Sequence, residues 1–87
     1  MEFEFDSAKS AANREKHGID FLGAQAIWRD EQHLVTPARS LTEPRFQILG
    51  LIDGKLWSVF VTYRGEKIRL ISVRRARPEE EKRYYEN

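Results

Sequence analysis

The chain contains no cysteine, which removes a disulfide framework, a thiolate metal site and a cysteine nucleophile together. Histidine is almost as scarce: His17 and His33 are the only two, too few and too far apart for a transition-metal site. No Gly-x-x-x-x-Gly-Lys run is present to cradle a phosphate, and no serine stands in a nucleophile-elbow context. No apolar run approaches the roughly 18 to 20 residues needed to cross a bilayer, and no lipidation motif closes the chain. The opening MEFEFDSAKS alternates acids with phenylalanines where a secretory signal places basic residues before a long apolar stretch. A cytoplasmic protein without a membrane partner, a metal or a cofactor is therefore expected.

What is present suits one folded body. At 87 residues, 40% hydrophobic, 33% charged and 11% aromatic, the chain has the composition of an ordered domain, and it is too short to divide its core. One domain spanning 1–87 follows, stabilised by packing alone. Its net charge of +1 conceals a local excess: Arg64, Lys67, Arg69, Arg74, Arg75 and Arg77 fall within one short stretch that holds a single acid, Glu66. Such a cluster can meet phosphate, an acidic protein, or only water and the chain's own carboxylates.

Periodicity gives the elements. Phe3 and Phe5 alternate with Glu2 and Glu4 as in a short half-buried strand. Asp6 reads as a helix N-cap, Ala8, Ala11, Ala12 and Glu15 keep helical spacing, and Gly18 supplies the stop after Lys16 and His17. Asp20 caps a second, shorter helix that carries Phe21, Ala24, Ile27 and Trp28 and ends near Asp30. A brief strand over Leu34–Thr36 precedes an irregular stretch marked by Pro37, Ser40, Thr42 and Pro44. Three strand-like runs, Arg45–Ile52, Leu56–Tyr63 and Lys67–Val73, are separated by turns at Asp53-Gly54 and Gly65, as in an antiparallel meander. Pro78 at a first helical position, followed by Glu79, Glu80 and Glu81 and then Lys82 and Arg83, predicts a short C-terminal helix matched to its dipole. The fold class is α+β: an N-terminal strand and two helices packed on an antiparallel sheet, with a short terminal helix.

The run Lys67-Ile68-Arg69-Leu70-Ile71-Ser72-Val73-Arg74-Arg75 sets arginines inside a buried-looking strand. A guanidinium there must meet a carboxylate or emerge on an open face where an anion can lie. Cleavage of RNA without a metal needs a base for the 2′-hydroxyl, a cation for the crowded phosphate and an acid for the leaving 5′-oxygen. Arginine suits the cation, and His17 titrates near neutral pH. His17 and Lys16 are equally read as cations at a helix C-terminus, and His33 as a surface residue. Trp57, Tyr63, Tyr84 and Tyr85 could stack on bases. Packing is the default for Trp57, as for Trp28, whereas Tyr63 and Tyr84 are open to a role through their hydroxyls. The acids Glu79, Glu80 and Glu81 read as first-turn helix charge.

Asp6-x-x-Lys9-x-x-x-Asn13-x-x-Lys16-His17-Gly18 with Phe21 and Ala24, then Arg45-Phe46 with Gly50, then Arg64-Gly65, Ile68-Arg69-Leu70-Ile71-Ser72-x-Arg74-Arg75-Ala76, Glu80 and Tyr84 resemble, in order, the signatures of the BrnT family of toxins. Phe5 stands where that family often has Trp, and Val61 where it often has an aromatic residue. The resemblance implies a compact RelE-like fold, a ribonuclease that arrests translation as the toxin of a type II pair, and neutralisation by a BrnA-like antitoxin, through which alone operator DNA is bound. It ranks Arg64, Arg69 and Arg74 first, for binding and charge stabilisation at the scissile phosphate. Lys16 and His17 follow as proton-transfer partners if the first helix borders the sheet face, with Glu80 and Tyr84 in support and Lys67, Arg75, Arg77 and Tyr63 as further RNA contacts. Two other classes remain open on the residues alone, a catalytically silent partner-binding module and a nucleic-acid-binding regulator. An antitoxin interface over or beside the basic groove is expected.

Overall fold

The computed structural model describes all 87 residues. Strand β1 (Glu2–Glu4) leads into helix α1 (Ser7–His17) and then α2 (Phe21–Ala24), which tightens into a 3-10 segment over Gln25–Arg29. Strands β2 (Leu34–Ala38), β3 (Arg45–Ile52), β4 (Lys55–Arg64) and β5 (Lys67–Arg75) follow, and α3 (Pro78–Tyr85) ends the chain. Short-range chemistry sets the helix limits. The Asp6 carboxylate accepts from the Lys9 N–H at 3.0 Å, Asp20 accepts from the Gly23 N–H at 2.7 Å, and Gly18 adopts the left-handed φ of 82° that ends α1. No helix is long and apolar enough to cross a membrane.

The five strands form one sheet in the order β1-β5-β4-β3-β2. The meander is antiparallel, but β1 is not a separate element packed on it: it adds to the sheet edge, parallel to β5, with Glu4 opposite Arg69. The sheet is therefore mixed, which corrects the all-antiparallel expectation. At the other edge β2 also runs further than expected, through Pro37 to Ala38, paired to Phe46 and Arg45. An edge strand tolerates proline because its missing N–H interrupts no second ladder.

One face of the sheet carries the main core. Ile48, Val59, Val61, Leu70 and Val73 meet Phe21, Ala24 and Ile27, all close to fully buried. Helix α1 differs from its expected role. Its alanines are exposed and its buried residues are Ser10 and Asn13. Past Glu4, where β1 stops, the Asn13 side chain takes over the β5 edge, accepting from the Val73 N–H at 3.1 Å and donating to the Ile19 carbonyl at 2.8 Å. Ser10 likewise receives the Phe21 N–H at 2.9 Å. The polar half of α1 thus satisfies backbone groups that would otherwise be orphaned at a buried edge.

Gly50 marks the closest approach of the helical layer. A Cβ there would lie 2.6 Å from Cγ1 of Ile27 and 3.3 Å from both an Asp30 carboxylate oxygen and the His33 Cβ. Ile27 is fully buried and has no room to retreat. Gly50→Ala should therefore cost about 1 to 3 kcal/mol through overpacking, read as a lower urea midpoint at unchanged slope. His33 is half-buried at this contact, not a plain surface residue, and its ring Nδ1 sits 2.7 Å from the Asp30 carbonyl.

Candidate active site

Arg69 and Arg74 are five residues apart, so a regular strand would send them to opposite faces. A bulge prevents this. Phe60 pairs with Ser72 and Val61 with Leu70, leaving Ile71 unopposed. The extra residue resets the alternation, so that Leu70 and Val73 both enter the core while Arg69 and Arg74 both emerge on the face away from it. Arg64 and Lys67 share that face by register, opposite one another at the end of the β4–β5 hairpin.

Two arginine stations result. At the first, Arg69 Nη1 lies 2.8 Å from Glu4 Oε2 and Arg64 Nη1 lies 4.0 Å from the same oxygen. Arg69 thus both meets a carboxylate and stands on the open face. At the second, Arg74 grips Glu80 with a two-pronged fork, both bonds 2.8 Å, and its guanidinium lies 5.2 Å from the Phe60 ring centroid. Phe60, half-buried, and Ser72, exposed, occupy the ground between the stations.

Glu80 is the most heavily bonded carboxylate of the chain and only 7% exposed. Besides the fork it accepts from Gln47 at 2.6 Å, Ser58 at 3.0 Å and the Arg77 N–H at 2.8 Å. Burial by itself would raise its pKa, but the Arg74 fork, the Arg77 N–H, Gln47 and Ser58 outweigh that and hold it at about 2, below its ordinary 4.5. Arg83 completes the network by donating to the Gln47 side-chain Oε1 at 2.7 Å. Such a carboxylate is locked in its charged form: it orients Arg74 and is not available as a proton donor near neutral pH.

Tyr84 takes no part in this network. Its hydroxyl donates to Asp30, which also accepts the Leu51 N–H at 2.8 Å, while the ring packs with Leu49 and Leu56. Burial and then the Asp30 carboxylate push the Tyr84 phenol up to about 12. Asp30, despite its own burial, is held below the usual carboxylate range by Tyr84 and the Leu51 and Gln32 N–H groups. Tyr84 is a staple that seats α3, and hence Glu80, on the sheet.

The other sequence candidates separate. Arg75 lies over Trp57 at 5.4 Å and Tyr63 meets Phe46 in a tilted pair at 5.1 Å, both on the face opposite Arg69 and Arg74. Arg77 is exposed at the start of α3. Lys16, exposed, and His17, half-buried, make no hydrogen bond or ion pair with the arginines. They sit one turn beyond Asn13 on a helix that borders β5, towards its Arg74–Arg75 end. No group of three or more His, Cys, Asp or Glu side chains converges as a metal site.

Glu4, Gln47, Ser58 and Arg83 were not foreseen as members of these stations. Gln47 and Ser58 carried a signal, since each is a polar residue within an apolar strand run and both are buried. Glu4 carried none, because its partner lies 65 residues away. A comparison with curated proteins returned no match. The family model described as "Ribonuclease toxin, BrnT, of type II toxin-antitoxin system" matches residues 5–80. That span begins just after β1, takes in Arg64, Arg69 and Arg74 but not Glu4, and closes on Glu80, and the chain belongs to the BrnT family of ribonuclease toxins of type II toxin-antitoxin systems.

Proposed function

We propose that this protein is a cytoplasmic endoribonuclease that needs no metal, cleaves RNA on the open sheet face and thereby stops translation. The observation that supports this reading most is the Ile71 bulge, which gathers Arg64, Arg69 and Arg74 on one side of the sheet. Three guanidinium groups on the face that carries the half-buried Phe60 suit a single strand whose phosphates take the cations and whose base stacks on that ring.

In this reading a base removes the 2′-hydroxyl proton, the 2′-oxygen attacks phosphorus, and the 5′-oxygen leaves with a proton. The products are a 2′,3′-cyclic phosphate and a 5′-hydroxyl. Arg69 and Arg64 exchange their shared Glu4 for the scissile phosphate, and Arg74, held by Glu80, stabilises the charge that builds on it. Lys16 and His17 serve proton transfer from the α1 rim. Glu80 and Tyr84 are positioning residues, Lys67 and Arg77 extend the cationic track, and Arg75 and Tyr63, on the other face, are peripheral. A BrnA-like antitoxin silences the enzyme by covering this face, and operator DNA is reached only through that antitoxin.

The test is induced expression in bacteria of the wild type and Arg69→Ala, with soluble folded protein verified in both. Growth arrest and RNA loss in the wild type only, with new 5′-hydroxyl ends, is the expected result; 5′-phosphate ends would refute the 2′-hydroxyl route. One observation favours a second reading: Arg69 and Arg74 each already hold a carboxylate, as in a silent partner-binding module. Healthy cells full of folded wild type would decide for it.

A further inference from the structure

The row of residues across the open face continues beyond Arg69. Glu4 is opposite Arg69, Arg69 opposite Thr62, and Phe46 opposite Val61, which brings Arg45 beside Thr62; Ala38 then stands opposite Arg45. Thr62 confirms this alignment by donating to the Pro44 carbonyl at 2.7 Å. Arg45 shares the face of Gln47 and lies two strands from Arg69, a lateral separation of roughly 10 Å.

Arg45 is poorly satisfied. Its Nε is buried without a hydrogen-bond partner, and its Nη2 lies 3.9 Å from Glu43 Oε1, beyond hydrogen-bond reach, with the side chain 37% exposed. Nε and Nη2 together form the edge that binds a phosphate or carboxylate with two parallel bonds. A buried donor left unpaired is costly, and the Arg45 side chain borders a cleft of about 740 Å³ whose other walls are Ala38 and the exposed residues Arg39, Ser40, Leu41 and Thr42. The cleft therefore adds a second cation, Arg39, and two hydroxyls to Arg45, against one nearby acid.

We propose that Arg45, with Arg39, forms a further phosphate-binding station for RNA, which holds a nucleotide flanking the cleaved one in the cleft beside the β2–β3 loop. It deepens the ribonuclease reading and rests on it. An incoming phosphate displaces Glu43 from Nη2, and the side chain, already 37% exposed, turns into the cleft to bring Nε to it as well. The strand then lies across the sheet from Arg69 to Arg45, so this station contributes to substrate affinity and leaves the bond-breaking step to Arg69 and Arg74.

The experiment measures fluorescence anisotropy of a labelled single-stranded oligonucleotide with 2′-O-methyl sugars, which lacks the attacking hydroxyl, over a salt series, together with cleavage of the matching RNA. Arg45→Ala should bind roughly tenfold more weakly, the loss of one charged contact, and lower the salt slope by about 0.7. In cleavage KM should rise while kcat holds. Glu43→Gln should move binding the other way, because it removes the competing anion. Arg29→Ala, a charge-matched control at an exposed position on the helical layer, should resemble the wild type, and thermal melts establish that all variants fold. A wild type that binds and cleaves, with Arg45→Ala equal to it in affinity and slope, overturns the station and leaves the ribonuclease reading standing. Equal losses from Arg29→Ala also overturn it, as diffuse charge would then suffice. A wild type that neither binds nor cleaves overturns both.

Discussion

Replacing Glu80 by alanine is expected to destabilise the fold by about 3 to 5 kcal/mol, the usual cost of breaking a buried ion pair on one side. The substitution strands Arg74 in a half-buried site and removes the acceptor of Gln47, Ser58 and the Arg77 N–H at once. Since small domains hold only about 5 to 15 kcal/mol in total, much of the protein would unfold at moderate urea. Urea titration of wild type, Glu80→Ala and the pair Arg74→Met with Glu80→Leu separates the two contributions. The double variant should recover only the share due to the stranded charge, because Gln47, Ser58 and the Arg77 N–H still lack their acceptor. It should not recover activity.

Like Asp6 and Asp30, whose pKa values are also lowered, the same carboxylate makes the fold sensitive to acid. Its pKa falls from an ordinary 4.5 in the unfolded chain to about 2 in the fold. Because the folded value is the lower one, the contribution is complete above the unfolded pKa and is lost as pH drops towards 2. Linkage places that loss on the order of 3 kcal/mol. Chemical denaturation of the wild type from pH 6 down to about 2 should show the decline, and the double variant should make it shallower, keeping the part due to Asp6 and Asp30. An equal decline in both would remove Glu80 from the account.

The second large effect is expected at Arg69. If it meets the scissile phosphate, Arg69→Ala should lower kcat on RNA by roughly 100- to 1,000-fold, the range for removing one preorganised donor to a developing oxyanion. Its stability cost should stay small, since the Glu4 pair is more than a quarter exposed on both sides. Glu4→Gln gives the opposite sign where binding is limiting: without a charged competitor, Arg69 and Arg64 are freer to take phosphate, and KM should fall. Single-turnover and steady-state cleavage by both variants would test the pair. Full activity in Arg69→Ala would move the catalytic centre elsewhere, whatever the fate of Glu4→Gln.

What was legible in the sequence followed from range. Asp6, Gly18, Asp20 and Pro78 act on neighbours within four residues, so the helix limits could be read directly, as could the meander with its Asp53-Gly54 and Gly65 turns. The Arg69–Arg74 pair was visible as arginines in an apolar strand, but not its arrangement. That depends on a bulge whose trace in the sequence is the three-residue step from Leu70 to Val73. Glu4 looked like the solvent side of a marginal strand because its partner is contributed by the far end of the chain. Glu80 read as helix-dipole charge on its own helix and as support for an arginine only through the resemblance, because Gln47 and Ser58 are supplied by the sheet beneath α3. Pro37 misled in the other direction: it signals irregularity except on an edge strand, and which strand is the edge is a property of the whole sheet.

The parallel pairing of β1 with β5 also orders events during synthesis. The first strand precedes its only neighbour in the sheet, which begins at Lys67, so it has no place to settle until Lys67–Arg75 has been produced. The closing of that long loop is a slow, late step. Glu4 reaches Arg69 only then, and Glu80, the clamp on Arg74, lies later still. A nascent chain therefore carries neither arginine in its finished setting until the segment that holds Glu80 has also been made.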